Sequence, residues 1–253
     1  MRNIVCLFLL SFILTGCTSS TGQDEKTELI ISAAASLKEA MEEVELLYEE
    51  NNHIDIQLNL ASSGTLSKQI EQGAPADVFL SANNEMFEKL VNANKIRKDS
   101  VVSLLKNSLV IISSKKSDIA TFEAAMESES LAIGIPETVP AGLYAKEALI
   151  NMGKWASIED KLILAKDVRQ VLSYVETGNV QVGIVYQTDA LITDKVNQIS
   201  TIDDSLHSSI IYPIGISNST KELDAASNFC DFLQTEEVLL IFKKYGFETM
   251  NEE

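Results

Sequence analysis

Apolar and polar positions change register repeatedly along the chain, and the changes mark out elements. Leu29, Ile30 and Ile31 form a short apolar run that predicts a buried strand, and the spacing over 37–50 predicts an amphipathic helix behind it. Residues 54–60 (IDIQLNL) alternate as a half-buried strand does. A short helix is predicted over 64–72, stopped by Gly73 and Pro75, then a strand over 77–80 and a helix over 84–94. The pattern restarts with the apolar runs 109–112 (LVII) and 131–135 (LAIGI). Helices over 140–152, with Pro140 at the start, and 168–177, between Asp167 and Gly178, enclose further signals of the same kind. Strands over 182–186 and 210–216 and helices over 221–233 and 236–245 complete the series. Strands alternating with helices predict an α/β protein with mostly parallel sheets flanked by helices. Two lobes fit the length better than one. The expected crossings lie near 105–110 and 205–212, which gives residues 28–107 plus 211–253 for lobe 1 and 108–210 for lobe 2.

The first residues stand apart from this pattern. Residues 1–16 read MRNIVCLFLLSFILTG, with Arg2 ahead of an apolar run of 11 residues from Ile4 to Leu14. A spanning helix needs about 20 residues, so the segment reads as a secretory signal. It ends in Leu14-Thr15-Gly16-Cys17, which looks like a bacterial lipobox, and a polar tether follows through residue 27. Cleavage before Cys17 and acylation of its thiol are therefore expected. Each buried methylene of an acyl chain contributes roughly 0.8 kcal/mol, and stable anchoring takes more than one chain. The mature chain would hold 253 − 16 = 237 residues, with Cys230 as its one unmodified cysteine and no internal disulfide. Cys230 lies in SNFCDFL, where a buried structural thiol is expected.

Composition narrows the class. Hydrophobic residues make up 45% of the 253, too many for a disordered chain. Lys and Arg number 20 against 37 Asp and Glu, a net charge of −17, or −18 once Arg2 is removed. Nothing in that balance favours nucleic acid as a partner, and the surface should repel free anions at long range.

Catalytic material is sparse. The two histidines, His53 and His207, sit in polar surroundings and are expected to face solvent. G-x-S-x-G, H-E-x-x-H and Walker sequences are absent, and acid pairs such as Glu42-Glu43 read as solvated helix faces. Helix starts are more informative, because free N–H groups and the positive end of the helix dipole converge there. Ser36 follows Ala33-Ala34-Ala35 and opens Ser36-Leu37-Lys38-Glu39, a capping-box pattern. It is either a cap or a donor toward a ligand. Ser62, Ser63 and Thr65 around Gly64 are either a hydroxyl-rich turn or a second set of donors. Ala141 follows Pro140 with almost no side chain to block its N–H, and Val168 follows a candidate N-cap, Asp167. Tyr186 closes a buried strand, and its hydroxyl needs a partner there.

Taken in order, AAASL (33–37), ASSGTL (61–66), GAPADVFLSAN (73–83), NSLV (107–110), VPAGLYAKEAL (139–149), DVRQVLSYVETG (167–178), GIVYQTDA (183–190) and IFKKYGF (241–247) resemble the molybdate-binding proteins of bacterial ABC transporters, periplasmic binding proteins. The resemblance runs from 33 to 247, which is 215 positions. It implies a two-lobed fold with the ligand in the interlobe cleft, no cofactor and no catalysis. Ser36 and Ser63 would then give hydroxyl and main-chain donors, Ala141 and Val168 main-chain N–H groups, and Tyr186 its phenol. The implied ligand is molybdate, with tungstate, held without direct protein–metal bonds. The implied partner is a membrane permease, and the protein would be a monomer outside the cytoplasm, on the periplasmic or cell-surface side, anchored through Cys17. Leu60 stands where many members have an aromatic residue and Gly64 where some have serine; both departures spare the donors and alter loop packing. Molybdate is a tetrahedral dianion with acceptors only, which suits a site made of donors. The residues themselves leave sulfate or another tetrahedral oxyanion open, and an extracellular hydrolase is the competing class.

Overall fold

The computed structural model describes residues 26–250. The expected signal segment, and Cys17 with it, lie outside the described residues.

The chain opens with strand β1 (Thr27–Ala34), a 3-10 turn (Ala35–Leu37) and helix α1 (Lys38–Asn51). Strand β2 (Ile54–Ala61) leads into α2 (Ser63–Glu71), and β3 (Val78–Leu80) into α3 (Asn84–Asn92). After β4 (Val102–Lys106) come β5 (Leu109–Ser114), α4 (Phe122–Glu127), β6 (Leu131–Gly134), α5 (Pro140–Asn151) and α6 (Trp155–Ile158). Next are β7 (Leu162–Ala165), α7 (Val168–Thr177), β8 (Val182–Tyr186), α8 (Gln187–Leu191) and β9 (Val196–Thr201). The chain closes with β10 (Ile211–Ile216), α9 (Leu223–Phe232), α10 (Glu236–Lys244) and β11 (Glu248–Thr249).

Two sheets result. The first has the order β11-β4-β10-β3-β1-β2 and the second β7-β6-β8-β5-β9. Four of the six strands in the first sheet share a direction, β10 and β11 running against them. In the second sheet four of five share a direction, with β5 reversed. The sheets are therefore mixed, and the reversed interior strands, β5 and β10, are those that follow the two crossings between sheets. The crossings touch, because the Asn107 N–H donates to the Ile210 carbonyl at 3.2 Å.

Burial follows the sequence pattern. Every residue of β5 and of β8 is buried, as expected of strands covered on both faces. Helix α1 turns Ala40, Met41, Val44 and Tyr48 inward, and Tyr48 meets Phe229 of α9 edge to face at 5.0 Å. Thus the C-terminal helices return to cover the first sheet. A smaller core under α2 and α3 is built on Phe79 and Phe87, stacked at 5.6 Å. Cys230 is buried, and that burial pushes its thiol up to about 12.

One sequence expectation is overturned here. His53 is exposed, but His207 is buried, its ring 5.9 Å from that of Tyr144. Its polar neighbours in sequence face outward while the imidazole turns onto α5. Strands β4, β7, β9 and β11 and helices α4, α6 and α8 are additions to the expected series.

Candidate functional site

Strands β1 and β2 end side by side, Ala34 opposite Ala61, and β6 and β7 end with Gly134 opposite Ala165. Each end is followed at once by a turn or helix start. The carboxyl ends of the two sets of parallel strands point at each other, which is where open α/β sheets place their ligands. Ser36, Ser63, Ala141, Val168 and Tyr186 all lie at these ends. All five are buried, and all five line one small cavity together with Ala34, Ala35, Ser62, Ala82, Val139 and Pro140. The structure thus brings the five sequence candidates together, with side chains from both sheets.

Local chemistry sets each group. Ser62 caps α2 through the Thr65 N–H, which places Ser63 at the first helical position. The Ser63 hydroxyl oxygen accepts the Ala82 N–H at 2.8 Å. Pro140 occupies the first turn of α5, and the N–H of Ala141 has no helical carbonyl to reach. A Cβ on Gly142 would fall 2.0 Å from the Gly134 carbonyl oxygen, so glycine is required for α5 to seat this tightly on β6. Asp167 caps α7 by accepting the Gln170 N–H at 2.8 Å, and Val168 follows with a free first-turn N–H. Gly178 ends the same helix in the left-handed conformation.

The capping box expected at Ser36 does not form. Ser36 lies inside the 3-10 turn, and neither that turn nor α1 has a side-chain cap. Its hydroxyl instead meets the Tyr212 phenol at 3.0 Å, and Glu39 is taken by Arg169 of α7. The hydroxyl of Tyr186 is buried and makes no hydrogen bond. Burial, with Tyr212, Tyr144 and Asp189 nearby, holds its phenol well above the ordinary range, so it stays neutral and keeps its proton to donate. An orphaned buried hydroxyl beside free helix N–H groups marks a place where an acceptor belongs.

Three clasps close the cleft around this cavity. Gly64 N–H donates to the Thr138 carbonyl at 3.0 Å. The Tyr144 phenol accepts from Asn83 Nδ2 at 2.9 Å and donates to the Ala82 carbonyl at 3.3 Å. Arg169 donates to the carbonyls of Ala35 (3.2 Å) and Ser36 (3.4 Å) and pairs with Glu39, while its Nε lies 3.0 Å from the fully buried Asp189. Burial raises the Asp189 carboxyl to about 6 despite that cation and despite accepting the Tyr186 N–H at 3.1 Å. Arg169, Asp189, Tyr144 and Tyr212 were not among the sequence candidates. Arg169 alone carried a local signal, a cation in the first turn of a helix, where the dipole disfavours it.

A wider groove lined by Lys38, Glu39, Arg169 and Lys195 opens outside the junction, but its central charges, Glu39 and Arg169, are paired. Among the described residues no cluster of His, Cys, Asp and Glu could hold a metal ion. The arrangement at the small cavity can bind an acceptor-rich, compact group.

Both the fold and this donor-lined cleft define a protein that binds a small solute between two sheets. The chain belongs to the bacterial extracellular solute-binding proteins, whose family model matches residues 29–248. It is 47% identical to the protein YvgL of Bacillus subtilis over 252 residues, 97% of each chain. It is 35% identical to the molybdate-binding protein ModA of Escherichia coli over 253 residues, 97% of this chain and 96% of that one. The solved periplasmic molybdate-binding protein of Azotobacter vinelandii has the same fold, with a TM-score of 0.79 at 22% identity, covering 87% of this chain and 98% of that chain.

Proposed function

We propose that this protein captures molybdate, and tungstate with it, outside the cytoplasmic membrane and delivers it to the permease of an ABC transporter. The observation that carries this reading is the convergence of Ser36, Ser63, Ala141, Val168 and Tyr186 on one buried cavity, with the Tyr186 hydroxyl unpartnered. All five are neutral and present donors. A tetrahedral dianion offers only acceptors, and hydrogen bonds to a buried charge are roughly twice as strong as neutral ones. The likeness to ModA supports molybdate over sulfate, a smaller tetrahedral dianion of the same charge. In this reading lobe 1 comprises residues 28–107 and 211–253, lobe 2 comprises 108–210, and the ligand holds the two together. Signal cleavage before Cys17 and acylation there would keep the monomer at the membrane, close to its permease. The protein acts by binding, without a catalytic step.

A thermal-shift series with molybdate, tungstate, sulfate and phosphate tests the reading. At 100 times the dissociation constant a ligand adds about 2.7 kcal/mol of stability, several degrees for a chain of this size. Molybdate and tungstate should produce that shift, and Ser63→Ala, which also lowers the ligand-free midpoint by leaving the buried Ala82 N–H without its acceptor, should abolish most of the shift measured from that lower midpoint. Equal shifts with sulfate would move the assignment to oxyanions in general. No shift with any of the four would refute it.

A further inference from the structure

Arg169 stands between two sets of acceptors and does not serve both. Its Nε lies 3.2 Å from the Ala35 carbonyl oxygen and 3.0 Å from Asp189 Oδ1. Nε carries a single hydrogen. That hydrogen points across the cleft to Ala35, and among the described residues Asp189 Oδ1 receives no hydrogen bond. Nη2 reaches across as well, to the Ser36 carbonyl at 3.4 Å and to Glu39. The Asp189 side chain is 0% exposed, so bulk water cannot supply the missing donor. A buried carboxylate oxygen without a donor is costly.

Closure creates that cost. Ala35, Ser36 and Glu39 follow β1 of the first sheet, whereas Arg169 and Asp189 lie on α7 and α8, beside the second. Opening the cleft withdraws the three acceptors on the first sheet and leaves Arg169 with Asp189. The Nε hydrogen then has Oδ1 as its acceptor, and the carboxylate regains a charge-assisted hydrogen bond. Closing takes that bond away, and a proton on Oδ1 compensates for the loss. Burial already raises this carboxyl, and the lost hydrogen bond raises it further in the closed arrangement. The other titratable groups facing Asp189 are Glu39 on α1, Asp167 ahead of α7, and the Tyr186 and Tyr212 phenols, which burial keeps protonated. Asp189 Oδ2 meanwhile accepts the Tyr186 N–H at 3.1 Å, so one carboxylate touches both Arg169 and a candidate ligand-binding residue.

We infer that Arg169 and Asp189 are positioning residues that form a two-position latch: Arg169 rests on Asp189 when the cleft is open and turns to Ala35, Ser36 and Glu39 when it closes, and Asp189 takes up a proton as it does so. Ligand capture is thereby coupled to proton uptake. A group that holds its proton more tightly in the closed form favours closure at low pH, and the advantage is lost as pH rises through the closed-form value. The inference rests on the oxyanion reading and adds what opposes closure within it.

The test is calorimetric titration with molybdate from pH 5 to 8, for the wild type and for Asp189→Asn, whose amide stands in for the protonated acid. The asparagine variant should bind about tenfold more tightly than the wild type at pH 7, the size of one hydrogen bond to a charged group, and within about twofold of it at pH 5. Protonation of the ligand itself cancels in that ratio. Should Asp189→Asn fold poorly, the wild type supplies the answer alone: titrated in buffers of different ionisation enthalpy, it should take up about half a proton per molybdate near pH 5.5 and none at pH 8. A ratio constant with pH, an asparagine variant that binds more weakly throughout, or binding near pH 5.5 without proton uptake would overturn the latch and leave the oxyanion reading intact. Failure of the wild type to bind molybdate would overturn both.

Discussion

Gly64 donates its N–H to the Thr138 carbonyl at 3.0 Å, and a Cβ at Gly64 would lie 2.5 Å from that same oxygen. The two loops, one from each sheet, meet backbone to backbone directly beside Ser63. Gly64→Ala should therefore prevent full closure while the separate halves fold normally. Molybdate affinity is expected to fall by about tenfold or more, equivalent to at least about 1.4 kcal/mol, with the ligand-free melting midpoint near that of the wild type. Calorimetric titration alongside a melting curve checks both. Undiminished affinity would mean that the contact is dispensable for closure.

The Arg169 clasp can be dissected by removing one partner at a time. Glu39→Gln deletes the ion pair across the cleft and leaves Arg169 beside Asp189. Its expected effect is a several-fold faster ligand release, read by stopped flow, with little change in ligand-free stability, since a pair that bridges the two sheets is made only when the cleft is closed. Arg169→Gln also strips the buried Asp189 of its cation, so it should lower the ligand-free midpoint as well. If both variants lowered only the midpoint and left release unchanged, Arg169 would be a structural residue and no clasp.

Asp189 gives the protein a pH signature. Its carboxyl titrates near 6 in the folded chain, against an ordinary value of 3.8, because burial outweighs Arg169. The folded state thus holds this proton more tightly than the unfolded state does. The group costs nothing below the ordinary value, and a penalty develops as pH rises from about 4 to about 6, then stays constant. Asp189→Asn keeps an acceptor for the Tyr186 N–H and removes the titration. Urea unfolding from pH 4 to 8 should show the variant gaining on the wild type by about 2–3 kcal/mol between pH 4 and 6 and by nothing further above that. A stability difference independent of pH would show that the folded and unfolded chains hold this proton equally, and that burial does not shift Asp189.

Local signals made much of this molecule legible. Helix α7 is read to the residue because its start and stop are written beside it: the Asp167 side chain on the Gln170 N–H, and Gly178 in the left-handed conformation. Strand β8 is legible because all five of its residues are apolar or small and buried. Strand β7, with two exposed residues in four, and β9, whose apolar residues Val196 and Ile199 stand three apart, carry no period that a sequence reading could isolate. At the site the positions of the donors are legible, because strand ends and helix starts are. Their partners are not. Ser36 reads as a cap until Tyr212, 176 positions away, takes its hydroxyl, and Glu39 reads as the other half of that cap until Arg169, 130 positions away, takes its carboxylate. His207 misleads for the same reason, since Tyr144, which covers it, is distant in sequence.

The burial of Cys230 has a practical use. It is the only cysteine among the described residues, and with its thiol pushed up to about 12 it is almost entirely protonated at neutral pH. Thiol reagents attack the thiolate, so the native chain offers them next to nothing in its folded core. A single cysteine introduced at the cleft mouth would carry a dye without competition from Cys230. Cleft closure could then be followed as light, and the protein used as an optical gauge of dissolved oxyanion.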